Sequence, residues 1–199
     1  LFKECIKPQK YSKIRAIIVP HAGYIYSGKT AAAGFSTTRK DAEYKNIFLI
    51  GSSHVMSFNG ASVYSSGDFI TPLGNAVVNK QIANTLKSEN KVLNFPESAH
   101  IKDHCLEVEI PFIQNYYDKQ IPLIPIIIGT NDVKTIKTIA EALRPYFNDE
   151  NLFVFSSDFS HYPSYDEAKR IDNLTAKALI SGNPDKFLNT LSSNASENV

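Results

Sequence analysis

The sequence predicts an α/β fold, a mainly parallel central sheet with helices on both faces. Two observations carry this. Residues 15–20, 46–51, 123–129 and 152–157 are apolar at nearly every position rather than at every second one, the mark of strands covered on both sides. Segments of helical character separate most of these runs, and strands that alternate with helices build parallel sheets through crossover connections.

Taken in order, residues 1–13 are mixed in character, irregular or a short helix. Residues 15–20 form a first strand, too apolar to face water on either side, which Pro20 stops before His21 enters a tight loop at Gly23. Residues 28–39 are alanine-rich and predict a helix packed closely on the sheet. The second strand, 46–51, stops at Gly51-Ser52-Ser53-His54. Residues 60–74 read as extended chain with turns, with 61–64 and 69–74 as a short antiparallel hairpin. Residues 79–89 predict an amphipathic helix with Ile82, Ala83 and Leu86 on one face. A polar stretch, 95–105, is rich in titratable groups. A helix over 106–117 follows it, with its first turns delayed or kinked by Pro111. Strand 123–129 leads to a helix over 132–147, capped by Asp132 or Asn131. Strand 152–157 ends at Asp158-Phe159-Ser160-His161. Two helices close the chain, 165–180 and 183–191, the second with Pro184 at its first position.

The chain has 199 residues, enough for one domain with a substantial core. Its net charge is +1 with scattered basic residues, which gives no electrostatic case for nucleic acid or an anionic membrane surface. No run reaches the ~20 apolar residues of a membrane span. Cys5 and Cys105 are too few and too far apart for a disulfide framework, so a cytoplasmic location is expected. The chain ends in a polar stretch, 192–199, that reads as a frayed terminus or a truncation.

Open α/β sheets place ligands at the carboxyl ends of their strands. His21, His54 and His161 follow strands there, and His104 lies in the polar stretch. Neutral imidazole is a common ligand for Zn, Fe and Cu, so two histidines from neighbouring strand ends can hold one metal. Asp158, Cys105 or a residue beyond Val199 is then the candidate third ligand. Asp158-x-x-His161 alternatively pairs a carboxylate with an imidazole as an acid–base group.

Several patterns are excluded. His100-x-x-x-His104 has Ile101 where the helical zinc-protease motif needs Glu. Glu107 and Glu109 read as solvated residues or caps. The stretch Gly23–Gly28 lacks the phosphate-loop spacing. Ser52, Ser53, Ser156 and Ser157 stand in no Gly-x-Ser-x-Gly elbow, and read as groups that satisfy backbone at strand ends.

Five stretches together resemble the Memo family, which includes the protein B component of the AmmeMemoRadiSam system. They are Val19-Pro20-His21-Ala22-Gly23-Tyr24 with Tyr26-Ser27-Gly28; Gly51-Ser52-Ser53-His54; Phe69-x-Thr71-Pro72-Leu73-Gly74; Ala99-His100-x-x-Asp103-His104-Cys105 through Phe112; and Ser156-Ser157-Asp158-Phe159-Ser160-His161-Tyr162. The resemblance implies one Memo-like domain over 1–199 that lacks its C-terminal segment, and a fold similar to class III extradiol ring-cleavage dioxygenases. It implies His21 and His54 as metal ligands, with His104, Asp158 and His161 beside the pocket as acid–base or supporting groups. Asp103-His104-Cys105 stands where the family usually has Glu-His-Ser. The family's Cys-Gly pair, whose cysteine is a proposed ligand, would fall beyond Val199, so the third protein ligand is expected there.

Two functions follow from the resemblance. One is a non-haem Fe(II) or Cu oxidoreductase of dioxygenase-like type, with Zn less favoured. The other is a non-catalytic scaffold that uses the same cleft for a small molecule, a peptide or a metal. Radical SAM and AMMECR-type proteins are the functional partners that the family implies; nucleic acid and membrane are not.

Overall fold

The computed structural model describes residues 1–9, 11 and 13–193. The polar end at 194–199 lies outside the described residues. Two compact units divide the chain, one from Leu1 to Ser157 and one beginning at Asp158. No helix of the described residues is long and apolar enough to cross a membrane.

Among its described residues the first unit holds seven strands: β1 (Ala16–Val19), β2 (Asn46–Ser52), β3 (Ala61–Val63), β4 (Phe69–Thr71), β5 (Gly74–Ala76), β6 (Leu123–Ile128) and β7 (Asn151–Ser156). The main sheet runs β1-β7-β2-β6-β3. Its pairs are parallel except that β3 runs antiparallel to β6. The predicted hairpin over 60–74 is corrected. Its first arm, β3, joins the main sheet, and its second, β4, pairs with β5 in a separate ribbon.

Alternate strand residues face opposite layers. Ile47, Leu49, Leu152 and Val154 share a core with Ala31, Ala32, Phe35, Ile110 and Ile113. Those partners come from α1 (Tyr24–Ser36) and α3 (Ile110–Tyr116). Phe48, Ile50, Ile126 and Phe153 face the other way, against Ala83, Leu86, Ile139 and Leu143. Those belong to α2 (Lys80–Glu89) and α4 (Val133–Leu143). Phe48 and Phe153 stack with centroids 4.6 Å apart. Each such fully buried side chain contributes about 1.5–3 kcal/mol. The expected double burial fails at two neighbouring places: Ile18 of β1 is 44% exposed and Phe155 of β7 is 36% exposed, while Ile17 and Val19 are buried.

Helix boundaries follow local chemistry. α1 begins at Tyr24, four residues before the expected start, so residues 24–28 are helix, while the expected loop after His21 runs through Ala22 to Gly23, the N-cap. Gly28, Ala31, Ala32 and Phe35 form its buried stripe. A side chain at Gly34 would meet Val19 Cγ1 at 2.5 Å, so glycine sets how closely α1 lies on β1. Asn79 and Asp132 cap α2 and α4 by accepting from the N–H groups of Ile82 and Thr135. Pro111 stands in the first turn of α3, which starts at Ile110 as the proline requires. Pro145 turns the end of the predicted 132–147 helix into a short 3-10 turn, Arg144–Tyr146.

The second unit holds α5 (Tyr165–Ile180) and α6 (Pro184–Ser193). Asp166 and Glu167 occupy the first turn of α5 and Lys177 its last, the arrangement the helix dipole favours.

Candidate metal centre

His21 and His54 come from strands that are not neighbours. β7 lies between β1 and β2, and Ser156 at its end is in register with Val19 on one side and Gly51 on the other. The two flanking strands are thus about 9–10 Å apart, and each histidine, two residues past its strand, leans inward over the end of β7. Their ring centroids are 5.1 Å apart.

A third imidazole joins them. His104 lies 5.7 Å from His21 and 5.0 Å from His54, centroid to centroid. One ligand atom from each of His21, His54 and His104 can be chosen so that all lie within 4.8 Å of one another. Residues 104–109 fold as consecutive turns, with Val108 N–H donating to His104 O and Glu109 N–H to Leu106 O, before α3 begins. Gly51 lets this segment settle on the strand ends: a Cβ there would meet Cys105 Sγ at 2.7 Å and Leu106 Cδ2 at 3.0 Å. Tyr24 ties the segment to α1 by donating its hydroxyl to Val108 O at 3.1 Å. The sequence reading gave His104 an acid–base role and named Asp158, Cys105 or a residue beyond Val199 as third ligand. The turns at 104–109 add a further nitrogen atom within reach, from within the first unit.

One ring nitrogen each of His54 and His21 has a polar partner. His54 Nδ1 lies 3.1 Å from Asp103 Oδ1, and His54 backbone N–H donates to Asp103 Oδ2 at 2.6 Å. Asp103 Oδ1 also accepts from Cys105 N–H at 3.1 Å. Burial pushes the Asp103 carboxyl up, but the hydrogen bonds from His54 and Cys105 outweigh it and hold it below the usual carboxylate value. His21 Nδ1 lies 2.8 Å from Ser156 Oγ. Ser156 donates to Cys105 O at 2.5 Å and also lies 3.3 Å from Glu109 Oε1.

His54, Asp103 and Cys105 form a second possible donor set. It is the poorer one. Burial, with Asp103 alongside, pushes the Cys105 thiol well above its ordinary range, so a metal bound there would have to displace the thiol proton. The Asp103 oxygens are also occupied by the donors just described. Three imidazoles fit a metal without these objections. They are borderline nitrogen donors suited to Fe, Cu, Ni or Zn. His21 is 5% exposed and the His54 side chain 41%, so the cluster is closed at one side and open at another. A groove of about 410 Å³, lined by residues 52–57 and 128–131, adjoins His54.

Asp158 and His161 belong to the second unit, where Asp158 Oδ2 and His161 Nε2 are 3.8 Å apart. That is an ion-pair distance, longer than a hydrogen bond. His100 Nε2 bonds Ser62 O at 3.0 Å, a structural role in keeping with the rejected protease motif. The expectation for Glu109 is corrected: it is fully buried and makes no side-chain cap of α3. Leu106, Glu109, Ile110 and Ile113 follow helical spacing, which was the available signal for that burial. Ser156 does satisfy backbone at a strand end, but it also meets His21. Sequence alone gave no signal for that contact, because it depends on β7 lying between β1 and β2.

The chain matches the Memo-like protein family over residues 1–198. It is 33% identical over 174 residues to a MEMO1 family protein of Thermoplasma acidophilum, covering 87% of this chain and 64% of that protein. It is 32% identical over 179 residues to a MEMO1 family protein of Aquifex aeolicus, again covering 87% of this chain and 64% of the relative. A relative from Thermoplasma volcanium is 32% identical, with 88% of this chain and 64% of the relative covered. The chain thus spans somewhat under two thirds of the length of these curated relatives. On the match across its whole described length, the chain belongs to the Memo-like family.

Proposed function

We propose that His21, His54 and His104 hold a single Fe(II) or Cu ion, and that the chain is the metal-holding part of an oxidoreductase acting on a small molecule. The convergence of three imidazole ligand atoms within 4.8 Å carries this reading. Three protein donors leave coordination positions open, as catalytic sites do, and His54 also lines a groove that could admit a small molecule. A redox metal bound there supplies one-electron chemistry. The chain's own contribution is to orient the rings through Asp103 and Ser156 and to keep water from His21. Likeness to ring-cleavage dioxygenases belongs to this proposal as the reaction class to try first.

A second reading is favoured by Val55 and Met56, which are 47% and 40% exposed in the groove lining. Exposed apolar side chains next to a metal suit a binding scaffold for a peptide or small molecule without turnover.

Anaerobic titration with Fe(II) and with Cu(I) tests the metal reading. One ion per chain is expected, with loss of binding in His21→Ala and in His54→Ala; unchanged uptake in both variants overturns it. Oxygen consumption by the loaded protein with catechols separates the two readings, since a scaffold consumes none.

A further inference from the structure

We propose that Ser156 is a positioning residue that fixes His21 in its Nδ1-protonated form, so that the Nε2 lone pair faces the imidazole cluster. The inference rests on the site reading above, yet its evidence is the hydrogen-bond geometry of the chain itself.

A serine hydroxyl has one hydrogen to give and two lone pairs to accept with. The 2.5 Å separation between Ser156 Oγ and Cys105 O places that hydrogen. A carbonyl oxygen carries no proton, and two oxygens approach so closely only with a hydrogen between them. The next acceptor in reach, Glu109 Oε1 at 3.3 Å, also draws the serine hydrogen rather than leaving it for the ring. Either way the hydroxyl meets His21 as an acceptor. His21 Nδ1, at 2.8 Å, then carries the hydrogen of that bond. In a neutral imidazole the other nitrogen is bare, and bare nitrogen is what a metal takes.

Water cannot readily replace the serine, because His21 is 5% exposed and Ser156 is 3% exposed. The serine itself is held by the sheet, in register with Val19 and Gly51 and followed by the Ser157 N–H to Val19 O bond of 2.9 Å. It also does a second job. Cys105, whose carbonyl it grips, directly follows His104, so one hydroxyl sets both the form of one imidazole and the seating of the loop that carries another. Asp103 plays the matching part for His54. Its oxygens accept from two backbone N–H groups and so face the His54 Nδ1 as acceptors too. The two strand-end histidines therefore present the same nitrogen, Nε2, by different means.

The test is long-range ¹H–¹⁵N correlation spectroscopy of histidine rings in the metal-free protein at about pH 8, where free imidazole is neutral. The expected wild-type result is a protonated Nδ1 and an unprotonated Nε2 at His21. Ser156→Ala should shift His21 toward the Nε2-protonated form and weaken metal binding by about 10–100-fold, while Ser156→Thr, which keeps the hydroxyl, should retain the wild-type ring signature. A protonated Nε2 in the wild type, or an unchanged His21 signature in Ser156→Ala, overturns the proposal. Should Ser156→Ala fail to fold, the wild-type spectrum alone still decides. Wild-type protein with the expected ring form but no affinity for metal would retire the metal reading and leave the positioning inference standing.

Discussion

At the start of β2 and β7, Asn46 and Asn151 stand in register, and Asn46 Nδ2 donates to Asn151 Oδ1 at 2.9 Å. Asn79 Nδ2 donates to Asn46 Oδ1 at 2.8 Å, and Asn151 Nδ2 to Tyr146 O at 2.9 Å. Lys45 pairs with Glu150 just outside. At the other end of the same two strands Gly51 and Ser156 are in register, and around them three imidazoles converge. Cavity size does not separate the two ends. A depression of about 420 Å³ lies at the starting end and one of about 410 Å³ beside His54. The lining does separate them. The first is walled by charges already paired, Lys13 with Asp149 and Arg39 with Asp41. Beside the second, Ser156 and Asp103 meet the Nδ1 atoms of His21 and His54, and one ligand atom from each of these rings and from His104 lies within 4.8 Å of the others. At the starting end the polar groups are paired within the fold; at the other, three imidazoles come close enough for one ion to bridge them, as proposed above.

The contrast yields predictions of decreasing size. His21→Ala should lower metal affinity by at least about 100-fold, beyond the 10–100-fold loss typical of a supporting residue, with little change in thermal stability. A large stability loss would mean that the histidine serves the fold, as the asparagines do. Asn46→Ala should do the reverse. It leaves buried amide partners unsatisfied, costing about 1–3 kcal/mol in denaturant unfolding, and should leave metal affinity intact.

Gly51→Ala sits between the two regimes. Its Cβ would press on Cys105 and Leu106, costing about 1–3 kcal/mol as overpacking and displacing the loop that carries His104. Stability and metal affinity should fall together; a loss of stability alone would show that His104 is not a ligand.

The smallest effect is electrostatic. Burial raises the Glu97 carboxyl, but bonds from Lys87, Ser66 and Ser65 outweigh it and lower its pKa to about 2. The Lys87 Nζ–Glu97 Oε1 distance is 2.6 Å. A folded-state value below the unfolded one stabilises the protein above the unfolded pKa. That stabilisation is present at neutral pH and is lost as pH falls from about 4.5 toward 2. Discounted for solvent screening, it amounts to about 1–2 kcal/mol. Lys87→Met should flatten that part of the acid-unfolding curve and leave metal affinity at neutral pH unchanged.

Much of the fold was legible because the apolar runs of β2, β6 and β7 are continuous, and because Asn79, Asp132 and Pro111 mark helix starts by chemistry that acts within one turn. The pairing of β3 with β6 was not legible. Strand partnership is set by tertiary packing, and residues 60–74 carry signals for a hairpin that β4 and β5 satisfy instead. At the site, His21 and His54 could be read from their places after strands. The position of β7 between them could not, and with it went the part played by Ser156. His104 sits in a polar stretch without a period, so its approach depends on turns and on the missing side chain of Gly51. Glu109 was misread because charge usually signals exposure, while its helical spacing with Leu106 and Ile113 pointed inward.

X-ray absorption spectroscopy of the Fe(II)- or Cu-loaded protein tests the central claim most directly. A first shell containing three imidazole nitrogens at about 2.0–2.1 Å, falling to two in His104→Ala, is the predicted result. A sulfur neighbour at about 2.3 Å, or a nitrogen count that His104→Ala leaves unchanged, would contradict it.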